Sequence, residues 1–217
     1  MSKAYSYILF DLDGTLTDSG PGITNGFAYA VGKMGGQVAD RSAYRRFVGP
    51  PLRDSFEKVL GYTGEDTDKA IAFYRDYYFN KGGALENTVY PGIEELLSEL
   101  KAMGKTLIVA TSKNIRGTTL VLEHFGLMKY FDFVATADDE LRPHKADVIR
   151  YAFAECGITD PSKAVMVGDR ENDISAANEV GIDSIGVLYG YGDEEELTTA
   201  GATYLAKTAA DVKTYIE

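Results

Sequence analysis

The sequence is short of cysteine, basic charge and long apolar runs, with one Cys, 22 Lys plus Arg against 33 Asp plus Glu, and 6 Pro in 217 residues. Cys156 alone cannot close an intramolecular disulfide, so the chain does not rely on covalent staples. A formal net charge of -11 makes broad neutralisation of nucleic-acid phosphates a poor expectation. No run approaches 18 consecutive apolar residues, and the opening MSKAYSYILF lacks the long apolar stretch of a signal peptide. Neither a membrane nor a nucleic-acid polymer is therefore an expected partner, and a reducing, cytoplasmic compartment is the expected location.

What is present is ordinary globular usage: 45% hydrophobic, 25% charged and 12% aromatic residues, with 23 Gly. Five short apolar runs read as buried strands: Tyr5 to Phe10, Thr106 to Ala110, Phe131 to Ala135, Ala164 to Val167 and Ser184 to Leu188, with a weaker sixth at Thr203 to Leu205. They do not alternate with polar residues, as befits a parallel sheet covered on both faces. Helical patterns separate them: Ile93 to Leu100 after Pro91-Gly92, Ile115 to Phe125, Ala146 to Cys156, and Ile174 to Val180. The alternation predicts an α/β fold, a doubly wound, Rossmann-like parallel sheet.

One interval breaks the rhythm, because 92 residues lie between Asp13 and Thr106, whereas ordinary βαβ units need about 30. Within it, Phe27, Ala30, Val31 and Met34, then Phe56, Val59 and Leu60, then Ala70, Phe73, Tyr74 and Tyr77 recur at helical spacing. A small helical domain over residues 19–83 is expected, inserted into a core made of 1–18 and 84–217. Glycines near Ser19-Gly20-Pro21-Gly22 and Lys81-Gly82-Gly83 suit the two chain crossings.

Immediately after the first strand stands Asp11-Leu12-Asp13-Gly14-Thr15. A DxDGT string arises by chance in only about a few per thousand chains of this length, and it falls where an open α/β sheet forms its ligand crevice. Two carboxylates this close suit covalent and acid-base work at one centre. Thr111-Ser112-Lys113 follows the second strand, and Gly168-Asp169-Arg170-Glu171-Asn172-Asp173 follows the fourth. Strand C-termini converge on one edge, so Asp11, Asp13, Thr111, Asp169 and Asp173 should crowd together. Mutually repelling carboxylates fit a hard, oxygen-preferring cation such as Mg²⁺. Read alone, Thr111 suits a helix cap, Asp173 a capping acid on a charged helix face, and Lys145 a solvated lysine; an acidic site that must also hold phosphate needs a cation near its oxygens, which Lys145 could supply.

In this order FDLDGTLTDS, LIVATS, the Lys145 region and VMVGDRENDI resemble the four motifs of the haloacid dehalogenase superfamily of phosphohydrolases. The inserted helices resemble its C1 cap, and FVGPPLRDSF with GIDSIGVLYGYG is similar to its phosphoglycolate phosphatase-like branch. In the lysine motif Lys145 precedes Ala146 where Lys-Pro is common, which leaves Lys113 as a substitute. The resemblance implies that Asp11 is the nucleophile and Asp13 the acid and base. It implies Mg²⁺ held by the Asp11 side chain, the Asp13 backbone carbonyl and Asp169, with Asp173 in support, and phosphate bound by Thr111, Ser112 and Lys145.

The leaving group would be read by Arg46 or Arg53, which flank the Gly49-Pro50-Pro51 turn with Arg45, or by Tyr189 near the rim. The expected reaction is hydrolysis of a small phosphorylated metabolite, phosphoglycolate-like or a nucleoside monophosphate. The enzyme alternative is a phosphomutase of the β-phosphoglucomutase type, and the non-enzyme alternative a phospho-aspartate signalling module, which has no need of the insertion. A dehalogenase would lack the second acid, Asp13. His124, His144 and Cys156 carry no assigned chemistry.

Overall fold

A computed structural model describes residues 4–138 and 140–216. The first strand, β1 (Tyr7–Phe10), is followed by the inserted helices α1 (Gly20–Lys33) and α2 (Glu65–Arg75). The chain then alternates α3 (Ile93–Ala102), β2 (Thr106–Asn114), α4 (Ile115–His124), β3 (Phe133–Ala137), α5 (Lys145–Glu155) and β4 (Ala164–Gly168). It finishes with α6 (Glu171–Val180), β5 (Asp183–Val187), α7 (Glu194–Thr199), β6 (Tyr204–Ala206) and α8 (Ala209–Ile216).

The six strands pair in parallel in the order β3-β2-β1-β4-β5-β6. This is the Rossmann-like, doubly wound arrangement, and β1 lies beside the point where the strand order reverses. Tyr7 sits opposite Thr106 and Ala164, and Phe10 opposite Val109 and Val167, so the three central strands run in register over this stretch.

Successive residues explain why the strand runs are continuously apolar. Ile8, Phe10, Leu107, Val109, Val165 and Val167 point to one face, where they meet Leu97 of α3, Val121 of α4 and Val212 of α8. Leu9, Ile108, Ala110 and Met166 point to the other, against Val148 and Ile149 of α5 and Ala177 of α6. A strand buried on both sides has no position for a polar side chain until it leaves the sheet. The first polar residues after β1 and β4 therefore emerge together at one edge.

Most strand bounds shift by one or two residues, β1 beginning at Tyr7 instead of Tyr5, and two strands depart further from the sequence expectation. β2 continues past Ala110 to Asn114, with an irregularity in register between Thr111 and Asn114 where it pairs with Thr136 and Ala137. β3 starts at Phe133 because Met128–Tyr130 forms a 3₁₀ turn that carries Phe131 up to the sheet.

The chain divides into two compact units, Met1–Thr17 with Val89–Glu217, and Asp18–Thr88. The second unit reaches beyond residue 83 because the segment after it is tied back to α1: the Gly22 amide donates to the Glu86 carbonyl at 3.0 Å and the Asn25 amide to the Glu86 carboxylate at 2.7 Å. Its interior is aromatic. Phe27 has the rings of Phe47, Phe56 and Tyr74 at centroid distances of 4.7, 4.9 and 5.1 Å, contacts worth about 0.5 to 1.5 kcal/mol each beyond area burial.

Helical spacing alone misplaces Val59, which is 47% exposed. Residues Ser55–Val59 form a π turn, closed by the Leu60 amide on the Ser55 carbonyl, and its wider pitch rotates Val59 off the face that Phe56 occupies. Among the described residues no helix is long and apolar enough to cross a membrane.

Candidate active site

Asp11 is the first residue beyond β1, and its amide still donates to the Val167 carbonyl of β4 at 2.9 Å. The residue is 3% exposed. Two residues on, Asp13 is also buried, and Gly14 turns the chain at φ +90, a conformation that disfavours any other residue. A methyl group at Gly14 would also land on the carboxylate of Asp169, so this position needs both the backbone freedom and the space.

Lys145, the first residue of α5, reaches into this edge. Its Nζ lies 2.6 Å from Asp11 Oδ1 and 2.7 Å from Asp173 Oδ1, with all three side chains buried. The helix begins there because His144 and Asp147 form a capping box, with the Asp147 carboxylate accepting from the His144 amide at 3.3 Å. Asp173 likewise closes the start of α6 by accepting from the Arg170 amide at 3.1 Å. Asp173 thus serves both as a capping acid and as a partner of Lys145.

Lys113 is not interchangeable with Lys145. Its Nζ lies 2.9 and 2.6 Å from the two carboxylate oxygens of Asp13, and each side chain is only 10% exposed. Thr111 is buried, and its Oγ1 accepts from the Lys113 amide at 3.2 Å. The cap of α4 is Asn114, whose Oδ1 accepts from the Gly117 amide at 2.9 Å, so the helix-cap reading of Thr111 is corrected. Ser112 is half-buried on the same stretch of strand.

Asp169 is fully buried at the end of β4. Its Oδ1 accepts from the Thr15 hydroxyl at 3.2 Å and its Oδ2 from the Tyr191 amide at 2.8 Å, both neutral donors. Carboxylate oxygens of Asp11, Asp169 and Asp173 come within 4.8 Å of one another. Burial pushes the Asp169 carboxyl well above the ordinary range, and the neighbouring Asp173 and Asp11 charges push it further. Burial also raises Asp11, to about 6, against the opposing pull of Lys145. Lys145 itself stands at about 12, because the charges of Asp11 and Asp173 outweigh its own desolvation. The 2.6 Å contact between their buried side chains makes Lys145 and Asp11 an ion pair.

Tyr189 donates its hydroxyl to the Thr15 carbonyl at 3.1 Å and packs its ring 5.0 Å from that of Tyr90. In the inserted unit Arg53 binds Glu57 at 3.0 Å and Asp68 at 2.7 Å, and the Arg46 guanidinium lies 5.1 Å from the Phe47 ring centre. The sequence alone gives Thr15 no role, and it leaves Tyr189-Gly190-Tyr191-Gly192 as either a rim of the site or a turn. The alternation of Gly and Tyr was visible, but its close approach to Asp169 was not.

An edge with two acids after β1, a lysine bridging acids from two other elements and a cluster of buried carboxylates can bind a phosphoryl group and a hard cation together. Residues 8–187 match the family described as haloacid dehalogenase-like hydrolase. The chain belongs to that family. The crystal structure of a predicted phosphatase from Clostridium acetobutylicum superposes with a TM-score of 0.93 at 46% identity, covering 98% of each chain.

A 5'-nucleotidase of Pseudomonas aeruginosa is 36% identical over 98% of this chain and 96% of its own length. The tyrosine-protein kinase PtkA of Mycobacterium tuberculosis is 37% identical over 93% of this chain and 68% of its own. Within the haloacid dehalogenase-like hydrolases the chain is a phosphoric monoester hydrolase.

Proposed function

We propose that the protein is a Mg²⁺-dependent phosphatase that hydrolyses a small phosphomonoester, such as a nucleoside monophosphate or phosphoglycolate, through a phosphoryl group carried on Asp11. The observation that carries this reading is the Lys145 ammonium held between Asp11 and Asp173, with an oxygen of Asp169 within 4.8 Å of one on each acid. That arrangement leaves a nucleophilic carboxylate beside a fixed positive charge at the switch point of the sheet.

In this reading an Asp11 oxygen attacks phosphorus and the ester oxygen leaves with a proton from Asp13. Asp13 then takes a proton from water as that water attacks the phosphoryl-aspartate, which regenerates Asp11 and releases phosphate. One difficult displacement becomes two easier ones. Thr111, Ser112 and Lys145 hold the phosphoryl oxygens. Lys113, bound to both oxygens of Asp13, orients that acid.

The residues present fit a magnesium ion: the candidate ligands are the Asp11 and Asp169 carboxylates and the Asp13 backbone carbonyl, all oxygen donors of the kind Mg²⁺ prefers. Asp173 stands beside them and is already joined to Lys145. Asp169 is buried and its oxygens accept from two neutral donors, the Thr15 hydroxyl and the Tyr191 amide, and a divalent cation would offset the repulsion it feels from Asp11 and Asp173. Once bound, the ion would supply positive charge to stabilise the phosphoryl oxygens.

Substrate choice falls to the inserted unit, because the core residues named above are occupied at the phosphoryl centre. Arg46 is its leading candidate, since Arg53 is already bound to two carboxylates. The test is phosphate release from a panel of phosphomonoesters by protein stripped with EDTA, with and without added Mg²⁺. Turnover should vanish after stripping and return with Mg²⁺. Acid quenching with labelled substrate should leave label on Asp11. Full activity after stripping, or label elsewhere, defeats the reading.

A further inference from the structure

Asp169 is enclosed from an unexpected direction. The chain leaving β5 returns across the end of β4, and there Gly190 and Gly192 come so close that side chains cannot fit. A methyl at Gly190 would fall on the Asp169 side chain and on the Gly14 carbonyl oxygen; a methyl at Gly192 would fall on the Asp169 carbonyl oxygen. Neither glycine has a positive φ. They are glycines because of space, not because of backbone conformation.

Hydrogen bonds follow the same path. The Tyr191 amide donates to Asp169 Oδ2 at 2.8 Å and the Gly192 amide to the Asp169 carbonyl at 3.1 Å. Farther on, Glu196 Oε1 accepts from the Glu171 amide and from Arg170 Nε, both at 2.8 Å, and so fixes the two residues that follow Asp169. On the opposite side Tyr189 donates to the Thr15 carbonyl, and Thr15 donates to Asp169 Oδ1. A buried carboxylate repelled by two neighbours gains by turning away, and these contacts prevent the turn.

We infer that residues 189–196 form a strap that positions Asp169, and that Gly190 and Glu196 are positioning residues which set the affinity for the divalent cation without touching it. The inference rests on the proposed Mg²⁺ reading and deepens it. Residues that orient a metal ligand are worth about 10- to 100-fold in metal affinity when removed.

The experiment is calorimetric titration of EDTA-stripped protein with MgCl₂ in the absence of substrate, with folding checked by circular dichroism and thermal melting in EDTA. Gly190→Ala should weaken Mg²⁺ binding by about 10- to 100-fold and Glu196→Ala by about 10-fold. Glu196→Gln, which keeps an oxygen acceptor for the Arg170 and Glu171 donors, should restore most of the affinity. The metal-free melting temperature of Glu196→Ala should stay close to that of the parent, which a purely structural role would not allow. If Gly190→Ala fails to fold, Glu196→Ala and its Gln rescue decide by themselves. Parent-like Mg²⁺ affinity in Glu196→Ala, or in a folded Gly190→Ala, overturns the strap while leaving the phosphatase reading intact. Absence of Mg²⁺ binding by the parent protein overturns both.

Discussion

Lys113 holds both carboxylate oxygens of Asp13, at 2.9 and 2.6 Å, while Lys145 on a different element spans Asp11 and Asp173. The two acids of one tripeptide thus have separate cations. Asp11 is fixed by a residue from the start of α5, and Asp13 by one from the end of β2. A single lysine could not serve both without giving up either the deep ion pair or the one nearer solvent.

The two lysines should therefore fail differently. Lys145→Met leaves two buried carboxylates without their shared partner, and breaking a buried pair in this way costs about 3 to 5 kcal/mol of stability. Urea unfolding in EDTA at neutral pH measures it. Lys113→Met should cost less, because its pair retains some solvent contact, and should depress kcat more than it depresses stability. Equal losses of stability in both variants would contradict the division of labour.

Asp13→Asn should fold and still bind substrate, with kcat lowered by about 10²- to 10⁴-fold, the usual worth of general acid-base help. The loss should be larger for an alkyl phosphate than for p-nitrophenyl phosphate, whose leaving group needs no proton. A uniform loss across leaving groups would remove Asp13 from the acid role.

Tyr5 predicts a pH dependence far from the site. Its hydroxyl donates to Asp183 Oδ2 at 2.6 Å, and burial first, then that bond, raise its pKa above the ordinary tyrosine value of 10.0. A group whose folded pKa is raised contributes its stability below the unfolded value and loses it above. Stability should therefore be level near pH 8 to about 9 on this account and fall beyond pH 10. Tyr5→Phe should lower stability by about 1.5 to 3 kcal/mol, as for a hydrogen bond to a charged group, and flatten the decline above pH 10. Denaturant melts at pH 8 and 10.5 give both numbers.

Arg53 binds Glu57 and Asp68 on an exposed face, with its own side chain 50% exposed. Such pairs are worth about 0 to 1 kcal/mol, so Arg53→Ala should melt within that margin of the parent. Its kcat/KM should be unchanged on anionic and neutral phosphomonoesters alike. A selective loss on anionic substrates would return Arg53 to the substrate-reading role.

The layout of the sheet was readable because burial on both faces allows only apolar side chains, so Ile8 to Phe10, Leu107 to Ala110 and Val165 to Val167 mark their strands without any structure. The acids at the strand ends were readable for the complementary reason: Asp11 and Asp169 are the first polar residues after those runs. Boundaries were less visible. The continuation of β2 through Thr111 to Asn114 depends on pairing with Thr136 and Ala137, and the outward turn of Val59 depends on a π turn that helical spacing does not announce.

Taken by itself, the sequence determined the α/β class, the interruption by a helical insertion and the meeting of Asp11, Asp13 and Asp169 at one edge, because strand periodicity and chain order dictate them. It did not determine which lysine meets which acid. Lys113 and Lys145 have the same chemistry; only the start of α5 and the continuation of β2 past its irregularity at Thr111 bring one to Asp11 and the other to Asp13. Nor could it show that Gly190 and Gly192 are small for the sake of Asp169, since close approach is a property of two segments packed together and neither carries it alone.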